Sequence, residues 1–504
     1  MSQESDKSNA EGSSDLEGLT LTQTFINTPL SISFLFVATS IGIIRYLSSG
    51  QLSVVAIFLL CLFVGLLLGY MILGKKGPLA IFGINAFVFT YSINVILAIA
   101  LEEYYLSEYG RAFLWNVYAP GSDTLPLIQY GSTFIRNAST GVNDDLKFHI
   151  VGTAIARDWI RGSHDSVGLL KYFSYVGYPW LVGAVLYVAN LFGDMSPLAP
   201  RIVNSMFGGL LIVSIFSLAS SVYSMPIGVR AATISAIFPV LNFYAANTFR
   251  DIIVAFLLVT CTLLLWRLIT PRALGRTAPN IVALIICGLG LLFLRSSTLY
   301  VLMAAYALYF SLFGGGILKR LALGASVVCL LILMALNSET FSNQSFDYLA
   351  KQGESWNESR VEGSTRESLA VKYIYSAPQY ISLPLSIIYM VFMPVPPISS
   401  LSFPGLLEGA GALAWYFFVP FWIFGLVRSL KDKETALPVI TCLVLFLSVA
   451  YVGGALRHKM QFMVFAFIEA SYATELLRGK VSSVGLATAL TLSILAGLYA
   501  LLKF

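Results

Sequence analysis

The chain has 504 residues, of which 57% are hydrophobic and only 11% charged, with a formal net charge of +5. So apolar a composition excludes an ordinary soluble domain and a disordered chain alike. The small positive excess is what the cytoplasmic loops of a membrane protein supply, so it is no nucleic-acid footprint.

The five cysteines, Cys61, Cys261, Cys287, Cys329 and Cys442, fall in apolar runs without a CxxC pair. The three histidines, His149, His164 and His458, lack the paired helical spacing of a zinc site. Neither a disulfide framework nor a metal centre is expected from them. No cofactor is implied with certainty, although a divalent cation is compatible with the chemistry considered below.

Residues 1–28 are rich in Ser, Glu and Asp and predict a disordered cytoplasmic tail. Residues 29–101 hold the first spans, at 29–46, 51–74 and 79–101, with Lys75-Lys76 marking an inside loop. Residues 102–200 then form an external acidic loop carrying interfacial helices. The apolar stretch from Tyr178 to Leu191 is too awkward to count as a span, because doing so would put the later Arg-rich loop outside. It predicts an interfacial or re-entrant helix instead. The central bundle, 202–336, divides into spans at 202–222, 231–248, 252–269, 279–294, 298–314 and 321–336.

A second external region covers 337–410 and is too long for a simple connector. It ends in an apolar segment, Ile381 to Met393, stopped by Pro394-Val395-Pro396-Pro397 and expected to be half-inserted. The C-terminal part, 411–504, adds spans at 411–427, 436–452, 460–476 and 484–502. Five basic groups then lie inside: Arg230; Arg267, Arg272 and Arg276; Lys319 and Arg320; Arg428, Lys431 and Lys433; Arg478 and Lys480. The fold class expected is all-α: a polytopic integral membrane protein of roughly thirteen transmembrane helices, with two sizeable external loop regions and re-entrant or interfacial helices. No inverted internal repeat is visible.

Two groups of residues could carry chemistry. Asp144 and Asp145 precede an amphipathic run in which Phe148, Val151, Ala154, Ile155 and Trp159 recur three or four apart, the pattern of a helix lying on a surface. As acids at a helix start they serve either as caps or as a base, and one can cap while its neighbour works. The second group is basic and external: Arg201, Arg250 beside Asp251, Arg295, and Arg457 followed by His458-Lys459, each at a span end. Guanidinium groups match phosphate oxygens through paired hydrogen bonds, while snorkelling and local ion pairing are the plainer roles. In the second external region, Glu354, Glu358, Glu362 and Glu367 suit solvation, Trp356 and Tyr373 suit packing or sugar stacking, and the sequons at Asn137, Asn343 and Asn357 carry little weight.

The order of these features resembles the C-type (GT-C) superfamily of polytopic membrane glycosyltransferases, which take sugars from polyprenyl-phosphate donors. The resemblance covers most of 100–480. It rests on the acid ahead of the helix from Asp145 to Arg161, on Gly177-Tyr178-Pro179, on Arg201-Ile202-Val203-Asn204 and Phe249-Arg250-Asp251 opening spans, and on Arg457-His458-Lys459 before a late span. It implies a transferase in which Asp145, or else Asp144, takes the acceptor's proton. Arg201, Arg250, Arg295, Arg457 and Lys459 would hold the donor phosphate, with His149 and Tyr178 contacting substrate. The implied partners are a polyprenyl-phosphate-linked sugar, a glycan or lipid acceptor and the bilayer, without nucleic acid. The implied setting is cell-envelope polysaccharide biosynthesis in a bacterial inner membrane. A polymerase or ligase acting on lipid diphosphate-linked glycans, and a transporter or flippase of lipid-linked sugar, are the competing functions.

Overall fold

The computed structural model describes residues 28–49, 52–74, 78–109, 141–163, 177–270, 277–314, 379–392, 402–452, 456–477 and 481–503. The regular elements among these residues are all α-helices. The N-terminal tail, Lys75-Lys76, the expected span at 321–336, the three sequons and the acidic and aromatic residues of the second external region lie outside the described residues.

The first three helices are α1 (Thr28–Ser49), α2 (Leu52–Leu73) and α3 (Pro78–Tyr109). Where a span was expected to stop at Leu101, α3 continues through Glu102 to Tyr109, because helix geometry carries past the apolar run once the polar side chain is packed. Next come α4 (Gly141–Arg161) and α5 (Gly177–Asn190). At 14 residues α5 is about 21 Å long, too short to cross a bilayer, as the re-entrant or interfacial expectation requires. Its N-terminus rests directly on the chain at Phe293, where only Gly177 fits: a Cβ there would run into the Phe293 carbonyl.

α6 (Leu198–Val222) is the most enclosed long helix, packed on α2, α3 and its later neighbours. The single span expected at 231–248 is instead a bent pair, α7 (Met225–Ile237) and α8 (Pro239–Ala245), meeting at 63°. Pro239 explains the break, since its missing N–H and its ring end the preceding helix. α9 (Asp251–Ile269) follows, then α10 (Thr277–Phe313), which leaves helical geometry at Arg295 with φ −163° and ψ 81°.

Both halves of α10 run beside α9. Cys287, before the break, lies beside Cys261, and Tyr306, after it, is 3.2 Å from Thr262. In an unbroken helix Cys287 and Tyr306 would stand about 28 Å apart. The segment therefore turns back on itself at Arg295, inside the boundary expected between 294 and 298.

Then come α11 (Gln379–Phe392), α12 (Phe403–Ser429), α13 (Ala436–Val452), α14 (Leu456–Leu476) and α15 (Val481–Lys503). α11 ends among side chains of α12 and α14: Trp415 Nε1 and Lys459 Nζ donate to Val391 O, and Tyr416 Oη to Phe392 O. Those donors satisfy carbonyls that a helix end leaves without intrahelical partners, so the short helix can finish inside the protein. α12 and α14 meet at Gly425, where a Cβ would strike the Glu469 carbonyl, and beside it Trp415, Trp422, Phe446 and Phe462 interlock.

Among the described residues six helices are long and apolar enough to cross a membrane, or seven if the bent pair counts as one span. Hydrogen bonds define the two ends of the bundle. Arg267 donates to Ile72 O and Ser217 Oγ, Tyr223 joins Ser429 and Glu469, and Arg230 pairs with Glu475. At the opposite end stand Arg201, the loop at 246–250 and Arg295. We refer to these as the Arg230 end and the Arg201 end.

Candidate functional site

The Arg201 end is organised around Asn204, one turn into α6. Its Nδ2 lies 2.6 Å from Asn247 O, 2.9 Å from Phe249 O and 3.0 Å from Tyr178 Oη. An amide nitrogen has two hydrogens, and the two carbonyls take them at the shorter distances. The chain between α8 and α9 is thereby fastened to α6, and with it the start of α9. An asparagine in an otherwise apolar helix is the residue type for that task, because short loops between buried helices leave carbonyls that need donors.

This fastened loop collects the neighbouring side chains. Thr248 Oγ1 is 2.5 Å from His149 Nε2, joining the loop to α4. Phe148 meets Tyr178 edge to face at 4.8 Å, joining α4 to α5. The far part of α4 is held by Val151 and Ile155 with Trp159 stacked near Trp180 at 5.4 Å. The amphipathic pattern was expected to lay α4 on the membrane surface. Its apolar face is instead covered by α5, a partner that periodicity alone does not distinguish from lipid.

Two ion pairs flank the loop. Arg201 Nη1 and Glu102 Oε2 are 3.9 Å apart, both buried. Arg295 Nη1 donates to Asp251 Oδ1 at 2.8 Å. In sequence Asp251 has Arg250 as its neighbour, yet the fold delivers Arg295 to it from the turn of α10. Three residues on, Thr298 Oγ1 donates to Gln461 Oε1 at 3.3 Å, which ties that turn to α14. A guanidinium carries five donors in a planar fork, the geometry that suits carboxylate and phosphate oxygens. Arg250 is half-buried at the head of α9.

Of the residues singled out from the sequence, the fold brings His149, Tyr178, Arg201, Arg250 and Arg295 to this end. Asp144 and Asp145 lie within α4, which begins at Gly141, so they stand inside the helix and not ahead of it. Asp145 is one turn before His149 and Asp144 one turn before Phe148; the side chains of both lie outside the described residues, as does that of Arg457. Lys459 departs most from expectation. It is fully buried, with Nζ 4.3 Å above the Trp415 ring and 3.4 Å from Val391 O, on the α11–α12 side of α14. There its charge faces an aromatic ring and the carbonyl end of α11, both favourable to a cation.

Sequence reasoning missed Asn204 as a fastener, Thr248, Glu102, Gln461 and Glu408, which accepts from Tyr244 Oη at 3.2 Å. The available signal was the polar residue inside an apolar run, which membrane helices keep only with partners. Among the described residues no group of three or more His, Cys, Asp or Glu could hold a metal ion. No protein-family model matches the chain, and no curated protein matches it.

Proposed function

We propose that the chain is a membrane glycosyltransferase. It moves a sugar from a polyprenyl-phosphate donor to an acceptor hydroxyl at the Arg201 end, with an aspartate of α4 as the general base. The observation that carries this reading is the docking of α4 through His149 and Phe148 beside Arg201, Arg250 and Arg295, so that an acid-bearing helix and several guanidinium groups share one end of the bundle. The arginines hold the donor phosphate and stabilise the charge that develops as it leaves. Asp145, one turn from His149, takes the proton of the acceptor, and Asp144 is the second choice. In this reading Tyr178 and His149 contact the substrate.

The Arg230 end faces the cytoplasm, because Arg230, Arg267, Arg428, Lys431 and Lys433 collect there. The Arg201 end is then external, and roughly thirteen spans accommodate the whole chain. A bacterial inner membrane and envelope polysaccharide synthesis suit this arrangement.

A second reading is transport of the lipid-linked sugar. It is favoured by the 63° break between α7 and α8, the turn at Arg295, and the fully buried Lys459 and Glu469. The polymerase or ligase on diphosphate-linked glycan needs only the arginines.

The test is transfer of labelled sugar from polyprenyl monophosphate and diphosphate donors by protein reconstituted in liposomes, with Asp144→Asn and Asp145→Asn beside the wild type. Transfer from the monophosphate donor, abolished by one of the two changes, is expected. Full transfer by both variants would remove the base from α4. Donor translocation without transfer would replace the transferase reading by transport.

A further inference from the structure

Glu469 has no part in the chemistry proposed for the Arg201 end. It lies toward the other end of α14, its side chain fully buried inside a helix with no exposed neighbour on that face. Its carboxylate accepts from Tyr223 Oη at 2.8 and 2.9 Å and from Ser429 Oγ at 2.7 Å. Tyr223 Oη is also 2.9 Å from Ser429 Oγ, so the three groups close a ring drawn from the ends of α6, α12 and α14. The residues come from positions 223, 429 and 469, and only the fold assembles them.

We infer that Glu469, with Tyr223 and Ser429, is a reversible proton-binding site at the Arg230 end of the bundle. A buried carboxylate beside a cation is normally fixed in its charged form, but here the partners are hydroxyls, which donate or accept as needed. When Glu469 is charged, both hydroxyls donate to it. When it takes a proton from water, its own O–H donates to Tyr223 or Ser429 and those hydrogens rotate away. Both states are satisfied with the heavy atoms in place, as a proton site requires.

The surrounding charges leave this equilibrium to Glu469. From α7, Arg230 is engaged with Glu475, and from α9, Arg267 is turned to Ile72 O and Ser217. α13 presents the thiol of Cys442, and α14 itself presents Tyr472, stacked near Tyr223 at 4.7 Å. The Arg230 and Glu475 side chains, less than two turns along α14, are 39% and 20% exposed, and this charged pair stands at the end that the proposed function takes as cytoplasmic. A proton therefore has a short path between the aqueous face and Glu469, and its arrival removes a charge from the junction of three helices.

The experiment is infrared difference spectroscopy of the full-length protein in lipid bilayers, titrated from acid to alkaline pH. A protonated-carboxyl C=O band that titrates in the wild type, is lost in Glu469→Gln and persists in Glu475→Gln is expected. Tyr223→Phe removes a donor to the charged form and should raise the midpoint by about one pH unit, a result that stands even if the glutamine variant fails to fold. The absence of a titrating band in the wild type, or a band indifferent to both Glu469→Gln and Tyr223→Phe, overturns the inference. Neither outcome depends on sugar transfer.

Discussion

Replacing Asn204 tests the organisation of the Arg201 end most directly. In Asn204→Ala the carbonyls of Asn247 and Phe249 lose the donor at 2.6 and 2.9 Å, and neither can reach water, since Asn247 and Phe249 are buried. An unsatisfied buried acceptor costs about 1–3 kcal/mol, so the two together cost about 2–6 kcal/mol. Asn204→Asp keeps the shape but sets an oxygen against two carbonyl oxygens, and it must be the worse of the two. Most of the loss falls on the segment 246–251, because that is what the amide fastens. Hydrogen–deuterium exchange on the protein in lipid nanodiscs reads this directly: exchange across 246–251 should rise in the order wild type, alanine, aspartate, with the Arg230 end unchanged. An aspartate variant as protected as wild type would show that the side chain does not donate to these carbonyls, and the account of the loop would fall with it.

Arg295→Ala leaves the Asp251 carboxylate buried without its donor at 2.8 Å and should cost about 3–5 kcal/mol, most of it recovered by adding Asp251→Asn; a thermal-stability double-mutant cycle with no coupling would contradict the pair. Gly425→Ala forces a Cβ against the Glu469 carbonyl and should lower the unfolding temperature, whereas Gly288→Ala, with open space around it, should leave it unchanged. Gly177→Val lifts the start of α5 off Phe293 and should raise exchange throughout α4 and α5; unaltered protection would mean that α5 does not seat there. Thr248→Val removes the hydroxyl 2.5 Å from His149 and should loosen α4 by about 1 kcal/mol, seen as faster exchange over 148–160 and not elsewhere.

Much of the helical framework was legible from composition and run length. Long apolar segments with few charges must satisfy their own backbone, and the bounds expected at 436–452 coincide with those of the helix α13. The turn at Arg295 was also legible, as a lone arginine between two apolar runs.

The contacts were not legible, because hydropathy reports that a face is buried without naming what buries it. The face of α4 reads as lipid-seeking, and the fold covers it with α5. Lys459 reads as a headgroup contact beside Arg457, but the angle of α14 turns it onto Trp415 and the end of α11. The span expected at 231–248 took no account of Pro239, where the chain bends by 63°. Asp251 has its own neighbour Arg250 in sequence and a different partner, Arg295, in space. Local sequence determines which backbone can live in an apolar medium, since that condition is met within each helix. Which polar groups find one another depends on helix rotation and register across separations such as the 246 residues between Tyr223 and Glu469, and only tertiary packing sets those.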